Sequence, residues 1–167
     1  DGGEATNPTT YNVETNDFTL SKPEKEGYTF KGWTGSNGNT PEIEVTIPKG
    51  TIGDKEYTAN YEITTYTIKY NLDDGEATNP TEYTVVTPNI TLIDPTRDHS
   101  VFLWWTWTDH NELFSWTVAV SKWSIWNREF VANWWCVPWY HADWNSCVAN
   151  QYTGSVNYND GDHGSAE

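Results

Sequence analysis

The stretch DGGEATNPTTYNVETNDFTL, residues 1–20, recurs as DDGEATNPTEYTVVTPNITL, residues 73–92. Asp1 falls on Asp73, a displacement of 72 positions, and the match runs on through Pro23 on Pro95, Phe30 on Phe102, Trp33 on Trp105 and Thr34 on Thr106. After a slip of one residue, Ile43, Val45 and Ile47 fall on Trp116, Val118 and Val120. KGTIGDKEYTANY, from Lys49, then falls on KWSIWNREFVANW, from Lys122. A long internal match of this kind marks one folding unit present twice, each copy leaning on its neighbour. It divides the chain into a first repeat (1–62), a second, Trp-rich and divergent repeat (63–134), and a Cys-containing extension (135–167).

Periodicity gives the class of structure. In TYTIKYNL (65–72), Tyr66, Ile68, Tyr70 and Leu72 alternate with polar residues, as expected of a half-buried strand. EIEVTI (42–47) and EYTANY (56–61) alternate the same way, and YTFKGW (28–33) reads as an aromatic strand. PKGTIGD reads as a connection and DGGEATNP as a turn. A short helical turn fits best at Pro23–Glu26. The expectation is a mainly β chain of two units, each a small, mostly antiparallel sheet with at most one short helix.

YTIKYNL-DDG, NPT, GYTFKGWTG and YTANY together resemble the Listeria–Bacteroides repeat, similar to the B repeat of internalin-type surface proteins. The resemblance is close over 1–62 and 65–92, weaker but in register over 93–134, and does not extend past Trp135. It implies a β-grasp-like unit strung in tandem along bacterial surface proteins, with no catalytic residues to carry over. It also implies an extracellular or cell-surface location.

The second copy differs most in its tryptophans. The chain has 11, and only Trp33 precedes residue 104. Trp104, Trp107, Trp123 and Trp126 stand where the first copy has Gly32, Gly35, Gly50 and Gly53, whereas Trp105 is the counterpart of Trp33. Glycine in a turn often supplies positive φ, which a bulky residue adopts at a cost of about 1–2 kcal/mol. Either these turns never needed positive φ or the second copy has rebuilt them. Exposed aromatic clusters usually mark contact surfaces. Trp104, Trp107, Trp123, Trp126, Trp135 and Trp139 are therefore candidates for packing on a neighbouring unit, a copy of the chain or another surface protein. The alternative is a carbohydrate-binding face in which the rings stack on sugars.

The net charge of −15 opposes a nucleic-acid partner and an anionic membrane surface. No transmembrane run is evident, so no membrane insertion is expected of this segment. The chain holds no methionine and opens on Asp1-Gly2-Gly3, which reads as part of a longer or processed protein. Cys136 and Cys147 are close enough for a small-loop disulfide, with two free thiols as the alternative. Cys136, His141, Cys147 and His163 do not follow a zinc-site spacing, and neither NYNDGDHG (157–164) nor LDDGE (72–76) follows a calcium loop. His99, His110, His141 and His163 are scattered outside any nucleophile motif. No catalytic residue, metal or cofactor is expected.

One asymmetry bears on assembly. The second copy begins with the strand TYTIKYNL, whereas the first opens directly on its DGG turn. Near the other end, SVNYN (155–159) repeats the pattern of TIKYN (67–71). Strand donation from residues 152–160, through Val156 and Tyr158, is therefore one expectation: it would fill the first unit of another copy and build a head-to-tail filament, as strand-donating proteins do. A plain slice of a tandem array is the simpler reading.

Overall fold

The computed structural model describes residues 2–107, 118–144 and 146–156. All regular elements in these segments are strands, and the turn expected to be helical at Pro23–Glu26 is instead a β-bridge between Glu24 and Glu4. Paired hydrogen bonds between those two backbones, 2.9 and 3.0 Å, satisfy groups that a helical turn would have directed along the chain.

The first unit contains β1 (Phe18–Thr19), β2 (Tyr28–Gly35), β3 (Gly38–Glu42), β4 (Thr46–Ile47) and β5 (Tyr57–Ile63). The stretch expected as one strand over 42–47 is broken, Glu42 ending β3 and Thr46 starting β4. β2 lies between β3 and β5 in a three-stranded antiparallel sheet, and β1 pairs with β4. The second unit contains β6 (Tyr66–Asn71), β7 (Glu82–Tyr83), β8 (Ile90–Thr91), β9 (Ser100–Trp107), β10 (Ala119–Val120) and β11 (Arg128–Cys136). Its main sheet has the order β7-β6-β11-β9. β6 and β11, its first and last strands, run side by side and parallel in the middle, which is the β-grasp arrangement. A hairpin of β12 (Tyr140–Asp143) and β13 (Ser146–Ala149) follows.

The repeat is explained by its side-chain clamps as much as by its apolar residues. The amide of Asn7 brackets the backbone of Ser21, and Asn79 does the same at Ile93. Asp17 accepts from the Lys49 N–H, and its counterpart Asn89 from that of Lys122. Asn60 donates to the Gly32 carbonyl at the bulge between β2 and β5, and Asn133 donates to the Trp104 carbonyl at the matching bulge. Bulges break the ladder locally, so the freed carbonyl needs such a donor.

Each unit has its own core. Leu20, Phe30, Trp33, Val45 and Ile47 form the first. Leu92, Trp105, Val118 and Val120 form the matching part of the second, which adds Ile68, Tyr83, Phe130 and Ala132. Burying a side chain the size of Ile68 contributes roughly 1.5–3 kcal/mol, so β6 enlarges the core that it covers.

Candidate functional site

β11 is paired on both sides, with β9 antiparallel and β6 parallel. β5, its counterpart, pairs with β2 on one side and with no strand on the other among the described residues. The bare edge runs along Lys55 to Thr58, the positions that match Arg128 to Val131. Glu56 directs both its N–H and its carbonyl to Ser36 beyond the end of β2. The period-two alternation of a strand then turns those of Tyr57 outward. An unpaired row of this kind is a template for another strand.

What the edge lacks can be read from the filled copy. Ile68 donates its N–H to the Thr81 carbonyl at 2.7 Å, and the Tyr70 hydroxyl donates to the Pro80 carbonyl at 2.7 Å. The Thr67 N–H reaches Asn127 Oδ1 at 2.9 Å. Thr9, Pro8 and Asp54 stand at the positions of these acceptors in the first unit. Tyr70 stacks on Phe130, which is 2% exposed, whereas its counterpart Tyr57 is half-buried. Burial pushes the Tyr70 phenol up to about 12; the Tyr57 phenol is raised by its own burial and then by Tyr11.

The end of the edge is marked by one orphaned group. Trp134 Nε1 donates to the Leu72 carbonyl, just past β6, at 3.0 Å. Tyr61 takes the place of Trp134, and its hydroxyl is buried with no hydrogen-bond partner. Both rings lie against a glycine: a Cβ on Gly3 would stand 1.8 Å from Tyr61 Oη, and one on Gly75 2.5 Å from Trp134 Cζ2. Buried polar groups are nearly always bonded, so an unsatisfied hydroxyl here needs an explanation.

A second contact joins consecutive units. Gly27, at φ +74°, sits against Val85, so that a Cβ there would approach Val85 Cγ1 to 2.0 Å. Val85 is 2% exposed, whereas its counterpart Val13 is 53% exposed. His99 replaces Gly27 in the second unit and keeps a left-handed backbone, φ 55°. Its ring stacks flat on Tyr140 of the hairpin, centroids 4.1 Å apart. The Val137 N–H donates to the His99 carbonyl as the Thr64 N–H donates to that of Gly27. The hairpin therefore takes up on the second unit the place that the second unit takes up on the first.

The tryptophans separate into two groups. Trp104 and Trp107 are half-buried in β9, and Trp107 packs against Phe130 at the core, so their place is in the sheet and not on an open aromatic face. Trp123, Trp126, Trp135 and Trp139 are 65–73% exposed. Trp144, which was not singled out from sequence, is 96% exposed. All four glycines that tryptophan replaces have positive φ: Gly32, Gly35, Gly50 and Gly53. Only Trp123 retains it, at 74°, so the second copy has rebuilt the backbone at the other three.

Cys136 and Cys147 form a disulfide that ties the hairpin to the end of β11. Neither is then a thiolate for a metal, and His141 Nδ1 lies 2.9 Å from Asn150 Oδ1 instead. No cluster of metal-holding side chains occurs among the described residues. Trp134, Trp135 and Trp144, the hairpin and the 2.9 Å Arg97–Asp73 ion pair line an open cleft of about 720 Å³. Val156 is 73% exposed; Tyr158, Trp116, His110, His163 and residues 157–164 lie outside the described residues.

Residues 1–64 match the Listeria-Bacteroides repeat domain. The first unit is similar to that family. Listeria-Bacteroides repeats are typical of bacterial surface proteins and are generally structural and non-catalytic. No curated protein and no solved structure matches the chain. No helix among the described residues is long and apolar enough to cross a membrane. The asparagine clamps, the Gly27–Val85 contact and the His99–Tyr140 stack were not identified from sequence. The asparagines had a signal there, since Asn7/Asn79 and Asn60/Asn133 recur at matching positions.

Proposed function

We propose that this chain is a non-catalytic spacer and contact segment of a bacterial cell-surface or secreted protein. Its Listeria-Bacteroides repeat units stack in tandem to hold a neighbouring domain away from the surface, and they associate with further units or copies. The observation that carries the reading is the Gly27–Val85 contact across a connection of only two residues, Thr64 and Thr65. A short linker and a close-packed junction make two units a stiff spacer, where a loose linker would not. The test is NMR relaxation on each unit. The two units are expected to tumble together, and Val85→Lys to uncouple them while leaving each folded. Independent tumbling of the unaltered chain would sink the spacer reading.

The exposed Trp135, Trp139 and Trp144 favour a second reading, in which the hairpin is a sugar-stacking platform. The ion-paired Arg97 and Asp73 in the neighbouring cleft would supply polar partners for hydroxyl groups. Quenching of tryptophan fluorescence by soluble glycans, lost in Trp135→Ala, would support it. An unchanged spectrum across a glycan panel would remove it.

A further inference from the structure

The disulfide that ties the hairpin to β11 has chemically unequal ends. Cys136 ends β11 in register with Ser100 at the start of β9, and Cys147 stands in β13. The Ser100 hydroxyl lies 3.1 Å from Cys147 Sγ, which as a disulfide sulfur has no hydrogen to give, so Ser100 is the donor. Arg97 Nη2 donates to the same sulfur at 3.8 Å, and Arg97 Nε donates to the Ser100 oxygen at 2.9 Å. No donor of this kind reaches Cys136 Sγ among the described residues. We infer that Cys136 is a thiol-exchange site: an external thiolate bonds to Cys136 Sγ, Cys147 departs, and the hairpin is freed from its covalent tie. The inference rests on neither the spacer reading nor the sugar-stacking one.

In the exchange step the external thiolate forms a bond to Cys136 Sγ as the Cys136–Cys147 bond breaks, and the electron pair goes to Cys147 Sγ. The external thiol is oxidised into the mixed disulfide, and Cys147 is reduced to a thiolate that then takes a proton from water. Of the two sulfurs, the one better stabilised as a thiolate leaves faster. Hydrogen bonds to an ionised acceptor are the strong ones, and Cys147 has two donors already in contact. The Ser100 hydroxyl also reaches the Asp98 carbonyl at 3.1 Å, and its one proton turns to the sulfur as the charge forms. Approach discriminates in the same direction. Cys147 lines a recess with Asp74, Glu76 and Asp98, whose charges oppose an incoming anion. Those carboxylates act on the departing thiolate too, but Ser100 and Arg97 touch that sulfur directly. Cys136 instead lines the open cleft beside Trp134, Trp135 and Pro138. Once the bond opens, the hairpin keeps the His99–Tyr140 stack and the Val137 N–H bond to the His99 carbonyl, both non-covalent.

The experiment exposes the full, folded chain to reduced glutathione at about pH 8, where part of that thiol is ionised. The reaction is stopped at early times with N-ethylmaleimide, and both sulfurs are mapped by peptide mass spectrometry. Glutathione on Cys136 with maleimide on Cys147 is expected to exceed the reverse pattern about tenfold, as for one charge-assisted hydrogen bond. Ser100→Ala removes the hydroxyl and is expected to cut that ratio to about threefold or less, and Ser100→Thr to restore it. Amide exchange in β6 and β11 of each oxidised variant checks that the sheet is intact. A merely structural role of Ser100 would change both patterns alike and leave their ratio where it was. In the glutathione adduct the Val137 amide is expected to exchange faster than in the oxidised chain, while β6 keeps its protection. Glutathione mainly on Cys147, equal adducts, a ratio unmoved by Ser100→Ala, or no adduct from the folded chain would each overturn the inference. Unchanged protection at Val137 would overturn the release of the hairpin.

Discussion

The two units have the same clamps, the same bulge and the same Leu and Trp core positions, but among the described residues only the second has its central strand. In the second unit β6 covers Phe130 and brings in Ile68, and the aromatic at the end of β11 finds a carbonyl. In the first unit the matching tyrosine is half-buried and the matching hydroxyl has no partner. Among the described residues, the covering strand β6 is thus the main difference in pairing between the two units, beside the backbone rebuilt at Trp104, Trp107 and Trp126.

The most severe way to break the comparison is to remove the residue on which that strand lies. Phe130 contacts Tyr70, Trp105 and Trp107 and is 2% exposed. Phe130→Ala is expected to cost the second unit about 3–5 kcal/mol. Tyr57→Ala, at the matching site, is expected to cost the first unit about half of that or less, because the ring is already part-exposed. Amide hydrogen exchange followed in each unit measures both, since protection reports the stability of each region separately. Equal losses in the two units would mean that the edge of β5 is covered after all.

A smaller effect is expected at Trp123. It holds the left-handed turn that Gly50 holds in the first unit, at φ 74° and 85° respectively. Its ring is 66% exposed and lies under the Lys122 ammonium, 4.8 Å from the ring centroid. Trp123→Gly is expected to stabilise the second unit by about 0.5–1 kcal/mol, the relief of strain less the lost cation–π contact. Thermal unfolding of the two proteins provides the measurement. A loss of stability would show that this ring packs on something that offsets its backbone strain.

The repeat and most of the strands were legible in the sequence, because each rests on alternation or on a direct match between copies. It did not carry the break between Glu42 and Thr46, since EIEVTI alternates through a bend as evenly as through a strand. It placed Trp104 and Trp107 with the other glycine replacements, although β9 has absorbed both into its pairing with β11. That difference lies in the backbone: losing positive φ at three of the four sites is a rearrangement that residue types alone do not announce. The orphaned Tyr61 hydroxyl was out of reach for a related reason, because an unsatisfied group is defined by what is absent around it.

The smallest expected effect uses pH to read the filled edge directly. The Tyr70 phenol is held neutral by burial up to about 12, against 10.0 for a free tyrosine. Below pH 10 the phenol is neutral in both the folded and the unfolded chain, and its full contribution is present. Above that the unfolded chain releases its proton first, so stability falls as pH rises and is lost through the folded value near 12. The second unit is therefore expected to lose protection progressively over this window, and Tyr70→Phe to flatten the decline. The first unit has no tyrosine at that position among the described residues, only Tyr57 with its smaller rise, so its decline should be shallower. Parallel declines in the two units would show that Tyr70 is no better shielded than Tyr57.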